Sequence, residues 1–286
     1  MLESILHRHL YGNSHFSEAS WSLLNRFSCE RVVGKSDAFV VSITSYPARI
    51  ETLYQTIESI FRQTVKPEII HVWLAESEFS SQTLPASLER LRKRGIRLDF
   101  VAENLGPYKK LYYALQAYPE STIITIDDDI IYPPNWLEQM LQVHRRYPED
   151  ILCYRGHDLR LVALNVLMNY NELKNKNSYG IESSYELMPT GVSGVLYPPN
   201  SLHEEVLNKS LFLSLAPSND DIWFKCCALL NQTKARRILQ HNVHFKLIEG
   251  SQKTSLYHTN VIMKKNDEQL KRVFDHFDLY RYISLI

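Results

Sequence analysis

The sequence predicts an α/β protein whose mostly parallel sheet is flanked by helices. Two observations carry this. Continuous apolar runs rich in β-branched residues, such as 37–44 and 68–75, are what strands buried on both faces require. They alternate, across short connections, with segments whose apolar residues recur every three or four positions, the pattern of helices that wrap a parallel sheet.

The elements follow in order. "DAFVVSIT" (37–44) reads as the first strand, and Ile50, Leu53, Tyr54, Ile57, Ile60 and Phe61 form the apolar stripe of a helix after it. "EIIHVWLA" (68–75) is a strand, "LPASLERLRKRG" (84–95) a helix stopped by Gly95, and "IRLDFVA" (96–102) a strand. A helix with Leu111, Ala114, Leu115 and Tyr118 on one face leads into the strand "STIITI" (121–126). Pro133, Pro134, Asn135 and Trp136 open a helix running toward Tyr147, and "ILCYR" (151–155) is a short strand. The segment 158–188 is polar and Asn-rich and shows no period. "MPTGVSGVLYPPN" (188–200) reads as a loop running through a short strand, and "PSNDDIWFKCCALLN" (217–231) as a helix opened by good first-turn residues. Asn266 with Gln269 resembles a capping box for a last helix whose stripe is Leu270, Val273, Phe274 and Phe277. The expected organisation is a leader over 1–36 and one domain over 37–286, divided into a first half (37–132) and a second half (133–286).

Composition bounds the partners. Lys plus Arg equals Asp plus Glu, 32 against 32, and 44% of residues are hydrophobic, so a sizeable core is expected and nothing suggests a nucleic-acid footprint. The basic clusters at Arg90–Arg94 and Lys234–Arg237 read as solvated faces. Cys29, Cys153, Cys226 and Cys227 match neither a zinc site nor a disulfide framework, which points to reduced thiols. The first 21 residues are broken by Glu3, His7, Arg8 and His9 and do not build a signal peptide, and no window approaches the ~18 apolar residues of a membrane span. A cytoplasmic protein is expected, with peripheral contact at the inner face of the cytoplasmic membrane left open.

Asp127, Asp128 and Asp129 follow the fourth predicted strand directly. Ligands of parallel sheets bind beyond the carboxyl ends of the strands, and adjacent carboxylates stay ionised there only when a cation or solvent compensates them. Hard oxygen donors favour Mg²⁺ or Mn²⁺. In extended backbone Asp127 and Asp129 share a side and Asp128 points away, so Asp-x-Asp is the geometric unit. A haloacid dehalogenase-type phosphohydrolase would place such a pair after its first strand. A sugar-phosphate nucleotidyltransferase would carry a glycine-rich loop where "TSYPARI" has none, and a non-catalytic nucleotide-sugar-binding module would not need the second acidic pair, Asp220 and Asp221.

Several stretches together resemble glycosyltransferase family 2-like proteins of bacteria, which have the GT-A fold. "VVSITSYPARIETLYQTIESIFRQT" is similar to their first strand, nucleotide loop and helix, and "PEIIHVWLA" to their second strand. "STIITIDDDIIYPPNWLEQML" is similar to the strand that carries Asp-x-Asp, "TGVSGVLYPP" to the donor and acceptor loop, and "SNDDIWFKCCALLN" to the helix that supplies the base. The resemblance spans about 38–232. Its loop Gly191-Val192-Ser193-Gly194 has fewer glycines than the family's usual run.

The resemblance implies an inverting, metal-dependent hexosyltransferase that uses a nucleotide-diphosphate sugar, UDP-linked by expectation. The acceptor would be a saccharide or lipid-linked saccharide of surface polysaccharide or lipopolysaccharide synthesis. Asp129, helped by Asp127, would hold Mn²⁺ or Mg²⁺, with His258 as a further metal ligand; Asp127 could instead contact ribose. Thr44, Ser45, Tyr46, Arg49, Lys109, Asp128 and Gly194 would line the nucleotide-sugar site. Arg49 is placed against phosphate or as a brace for Asp127, and either Lys109 or Lys110 against the diphosphate. Asp221 would be the base, with Asp220 its partner and alternative.

Overall fold

In the computed structural model, which describes residues 16–32, 39–79, 84–175, 180–251 and 265–285, the strands and helices of the first half alternate as the sequence predicts. They are α1 (Glu18–Phe27), β1 (Phe39–Thr44), α2 (Leu53–Phe61), β2 (Ile69–Ala75), α3 (Ala86–Lys93), β3 (Arg97–Val101), α4 (Lys109–Ala117) and β4 (Thr122–Ile126). Every residue of β2 and β4 is buried, which is why these segments read as unbroken apolar runs. β3 is largely exposed and carries Arg97 and Asp99, as suits a sheet edge that must not recruit another chain.

The second half contributes β5 (Ile130–Ile131), α5 (Trp136–Arg146), β6 (Ile151–Cys153), β7 (Gly156–Asp158), β8 (Leu161–Ala163), β9 (Val166–Leu167), α6 (Tyr170–Asn175), β10 (Leu187–Pro189), β11 (Val195–Tyr197), α7 (Lys209–Leu215), α8 (Asp220–Leu230), β12 (Ala235–Arg237), β13 (Lys246–Leu247) and α9 (Lys265–Phe277). Among its described residues the stretch 158–188, unreadable by period, holds short pieces, and β10 pairs antiparallel with β7.

Seven strands form the central sheet in the order β12-β6-β11-β4-β1-β2-β3. β4, β1, β2 and β3 pair in parallel, as do β6 and β12, whereas β11 runs antiparallel to both β4 and β6. β6 and β12 therefore point the same way as β4, and the carboxyl ends of all three lie on one edge. This is the mostly parallel GT-A arrangement. One apolar cluster, including Tyr108, Leu111, Phe212 and Trp223, packs on one face of the sheet; another, including Ile57, Leu74, Trp136 and Leu137, packs on the other.

The helix α1 joins this second core. Trp21 is buried, and the Asn25 side chain donates to Glu58 of α2 (3.2 Å) and to the carbonyl of Ser87 in α3 (3.1 Å). No helix among the described residues is long and apolar enough to cross a membrane. The four cysteines are free, and all but Cys29 are buried.

One expectation changes at the far end. Asn266 and Gln269 do not cap α9 with each other. Asn266 accepts from the Asn219 side chain (2.8 Å), and Gln269 Oε1 accepts from the Ser218 backbone N–H (2.9 Å), so both clamp the loop that leads into α8. Within α8, Lys225 is buried with no hydrogen-bond partner for Nζ among the described residues, and burial lowers its pKa from 10.5 to about 7. Between those two values the unfolded chain binds the extra proton, so stability rises as pH climbs from about 7 toward 10.5; below about 7 the whole penalty is present. Lys225→Met is expected to stabilise the protein at pH 7 by on the order of 2–4 kcal/mol. That gain should vanish near pH 10.5, as followed by urea midpoints across pH.

Candidate active site

The aspartates leave β4 in a turn rather than as extended strand, and this turn divides their roles. Asp128 is buried: Oδ2 accepts from Ser45 Oγ (2.6 Å), Oδ1 from Arg49 Nη1 (2.7 Å), and its carbonyl from Thr56 Oγ1 (3.0 Å). Both its carboxylate oxygens are thus occupied in fixing the turn. Arg49 also lies 3.1 Å from Asp129 Oδ2. The brace expected between Arg49 and Asp127 falls instead on Asp128 and Asp129. Thr44 and Ser45 likewise serve the scaffold, Thr44 Oγ1 donating to the Trp73 carbonyl (2.8 Å). Tyr46 is half-buried beside the Arg49 guanidinium, 5.6 Å from the ring centre.

Asp127 remains partly open, and its Oδ1 accepts from Lys110 Nζ (2.8 Å). The same ammonium lies 3.3 Å from Asp220 Oδ2, an ion-pair distance without hydrogen-bond alignment. Lys109 turns elsewhere, to Glu78 (3.1 Å) and Asn104 (3.0 Å). Neighbouring helix positions differ by about 100° in direction, and the phase of α4 selects Lys110. Ser42 in β1 fixes that phase by donating to the Lys110 carbonyl while it accepts from Trp73 Nε1. Burial pulls the Lys110 pKa down, yet Asp127, Asp220 and Asp221 outweigh it and hold the ammonium charged.

Asp220 and Asp221 start α8, but Asn219 is the cap: its Oδ1 accepts from the Ile222 backbone N–H (3.1 Å). Capping therefore leaves both carboxylates free. Tyr108 places this helix start, its hydroxyl donating to the carbonyls of Ala216 (2.5 Å) and Asn219 (3.2 Å). Asp221 Oδ1 accepts from the Gly191 N–H (3.0 Å). Burial, reinforced by Asp220, raises the Asp221 pKa to about 7.

Gly191 is the residue that sequence reasoning passed over. A Cβ there would sit 2.9 Å from Lys110 Nζ, 3.4 Å from Asp221 Oδ1 and 3.5 Å from Asp127 Oδ1, so three chemically active groups converge on its bare Cα. Gly194, expected at the donor, instead packs against Trp136, and a Cβ on it would fall 2.5 Å from the indole. Ser251 hydrogen-bonds Asp129, and the Ile248 N–H donates to the Asp129 carbonyl (2.8 Å), which closes 246–251 over the turn. No sequence pattern marks that closure. His258 lies outside the described residues. A cavity of about 680 Å³ between Asp150, Tyr185, Asn200 and Lys234 lies at the opposite edge of the sheet and takes none of these groups.

The donor set suits a hard divalent ion. Burial and then Asp127 raise the Asp129 pKa to about 7, so adjacent carboxylates lack positive charge even with Arg49 present. Among the described residues no three His, Cys, Asp or Glu side chains form a ready cage. Mg²⁺-type ions are commonly held by one or two carboxylates and completed by substrate phosphates. Asp127 and Asp129 fit that mode.

Residues 40–181 match the family described as Glycosyl transferase family 2. They form a family 2 glycosyltransferase domain. The domain match takes in the aspartate turn, Arg49 and Lys110, and ends before Gly191 and the acidic pair of α8. No curated protein matches the sequence. Among solved structures, the chain is similar to TarS 1-349 of S. aureus in complex with UDP, at 17% identity and TM-score 0.46, over 72% of this chain and 59% of that one. It is also similar to the mannosyltransferase PcManGT of Pyrobaculum calidifontis in complex with GDP-Man and Mn²⁺, at 12% identity and TM-score 0.49, over 84% and 64%. A third, the UTP-bound UGPase of Acinetobacter baumannii, is 10% identical with TM-score 0.41, over 72% and 87%. The chain spans less than two thirds of the length of the first two. Superpositions this loose carry no correspondence of site residues.

Proposed function

We propose that the protein is an inverting, metal-dependent glycosyltransferase that moves a hexose from a UDP-linked donor to a saccharide acceptor of surface polysaccharide or lipopolysaccharide synthesis. The observation that carries this reading is the convergence of Asp127, Lys110 and Asp221 on Gly191 at the carboxyl edge of the sheet. It joins a diphosphate platform to a proton acceptor across the bare Cα of Gly191. The donor nucleotide and the acceptor class rest on the motif resemblance.

Asp221, facing Gly191, takes the proton of the acceptor hydroxyl as its oxygen bonds to the anomeric carbon. The bond from that carbon to the diphosphate breaks, and the diphosphate leaves with the electron pair. A base opposite the leaving group gives a single displacement with inversion. Lys110, kept charged by three carboxylates, holds Asp127 and Asp220 in place and contributes positive charge beside the leaving group. Arg49 and Ser45 hold the turn that keeps Asp129 beside Asp127. A divalent ion bound by Asp129 and Asp127 would supply Lewis-acid stabilisation of the diphosphate.

A phosphohydrolase reading has no use for Asp221 against Gly191, and a binding module none for a buried carboxyl raised to about 7. The test is a thermal-shift panel of UDP, GDP, CMP and dTDP sugars with and without Mn²⁺, on the wild type and Asp129→Ala. A UDP sugar with Mn²⁺ should raise the wild-type midpoint, since saturating ligand at 100 times Kd adds about 2.7 kcal/mol, and Asp129→Ala should lose that shift. Equal shifts in both proteins would overturn the metal assignment. No shift with any nucleotide sugar would overturn the donor.

A further inference from the structure

The ligand edge changes sign along its length. β4 ends in the aspartates, whereas β6, two strands away, is followed by Arg155, and β12 ends at Arg237. With strands about 4.8 Å apart, the ends of β4 and β6 lie roughly 10 Å from each other. Thr190 and Gly191 bridge that interval: Arg155 Nη1 donates to Thr190 Oγ1 (2.7 Å), and the Thr190 N–H donates to the Arg155 carbonyl (3.0 Å). The guanidinium is thus tied to the residue next to Gly191.

Positive charge there is poorly compensated. Arg155 makes no ion pair with a carboxylate among the described residues. Its Nε donates to His244 Nε2 (3.4 Å), a ring that burial, with Arg155 and Lys174 nearby, keeps neutral and able to accept. Arg237 has Asp158 (2.8 Å), which is therefore taken. His157, directly after Gly156, is 1% exposed with no partner for either ring nitrogen among the described residues, edge-on to Tyr170, and within the field of Arg155, Arg237, Lys174 and His244. A guanidinium has five N–H groups in a fork suited to oxyanions, and Arg155 uses two.

We propose that the acceptor saccharide carries an oxyanion, a phosphate or a carboxylate, that docks on Arg155 while the reacting hydroxyl lies at Gly191. This deepens the transferase reading and rests on it. The roughly 10 Å between the two strand ends suits a charged substituent on the reacting sugar or on its neighbour. The acidic end of the edge would take the diphosphate with its cation, and the basic end would take the acceptor's own charge.

The test titrates glucuronic acid, glucose 6-phosphate and glucose into the full chain by ligand-observed NMR, using wild type, Arg155→Gln and Arg155→Lys. UDP with Mn²⁺ is titrated in parallel. One of the anionic sugars should bind wild type at least about tenfold more tightly than glucose, and which of them does so tells carboxylate from phosphate. Arg155→Gln should bring its affinity down to that of glucose while UDP affinity stays within about twofold. Equal binding of all three sugars by the wild type, or a preference that survives Arg155→Gln, would overturn the proposal. A parallel loss of UDP affinity would also overturn it by assigning Arg155 to the donor. If Arg155→Gln does not fold, Arg155→Lys decides, with a reduced but measurable preference expected and an unchanged one counting against the site. Absence of UDP binding in the wild type would strike the transferase reading alone, since the sugar comparison reads the anion site directly.

Discussion

Asp221→Asn is expected to lower transfer by about 10³-fold while leaving nucleotide-sugar affinity near the wild-type value, because a positioned general base contributes about 10²–10⁴-fold. An asparagine keeps the hydrogen bond that Gly191 N–H donates to the carboxylate, so the loop geometry survives and only proton transfer is lost. Calorimetric binding of the donor and turnover measured on the same preparation separate the two effects. A loss of less than about tenfold would move the proton acceptor to Asp220. The sign of the pH dependence follows from the raised carboxyl: as pH falls below about 7, Asp221 becomes protonated and cannot accept the hydroxyl proton, so the rate should drop on the acid side.

Gly194→Ala is expected to cost about 2–5 kcal/mol, read as a lower denaturant midpoint, from backbone strain and overpacking together. The residue has φ +89°, and the new Cβ would lie 2.5 Å from Trp136 Cζ2 and 3.2 Å from Cε2. The indole has nowhere to go. It is fully buried, its Nε1 donates to the Ser193 carbonyl (3.0 Å), and Tyr132 packs on it at 4.5 Å between ring centres. Stability within about 0.5 kcal/mol of wild type would show that the 191–194 turn is not seated on Trp136.

Much of this was readable because the chemistry is local. Strands buried on both faces must be apolar throughout, so β1, β2 and β4 announced themselves, and three adjacent carboxylates after β4 marked the ligand edge. What remained hidden depends on direction or on distance along the chain. Lys109 and Lys110 are chemically alike, and only the phase of α4, set by a buried serine in β1, selects Lys110. The Asn266 and Gln269 pattern is a legitimate helix-start signal, but tertiary partners at Ser218 and Asn219 claim both side chains. In the 191–194 loop Gly194 was expected at the donor, yet it is Gly191, given no part by the sequence, that faces the reacting groups, while Gly194 packs on Trp136. Arg155 and Ser251 carry no motif at all: the order of strands brings Arg155 to Thr190, and the pairing of β13 with β5 brings Ser251 to Asp129.

The reversed strand β11 ties the site to the core beneath it. Because it enters the sheet from the ligand edge, the loop before it, rather than after it, borders Lys110, Asp127 and Asp221. The chain between β7 and β10 leads directly into that loop, and its Leu159, Leu173, Leu187 and Met188 are buried in the same apolar cluster as Tyr108 and Trp223. A change of length or packing there is therefore transmitted to the helix start that carries Asp220 and Asp221, so this segment and the acidic pair must vary together.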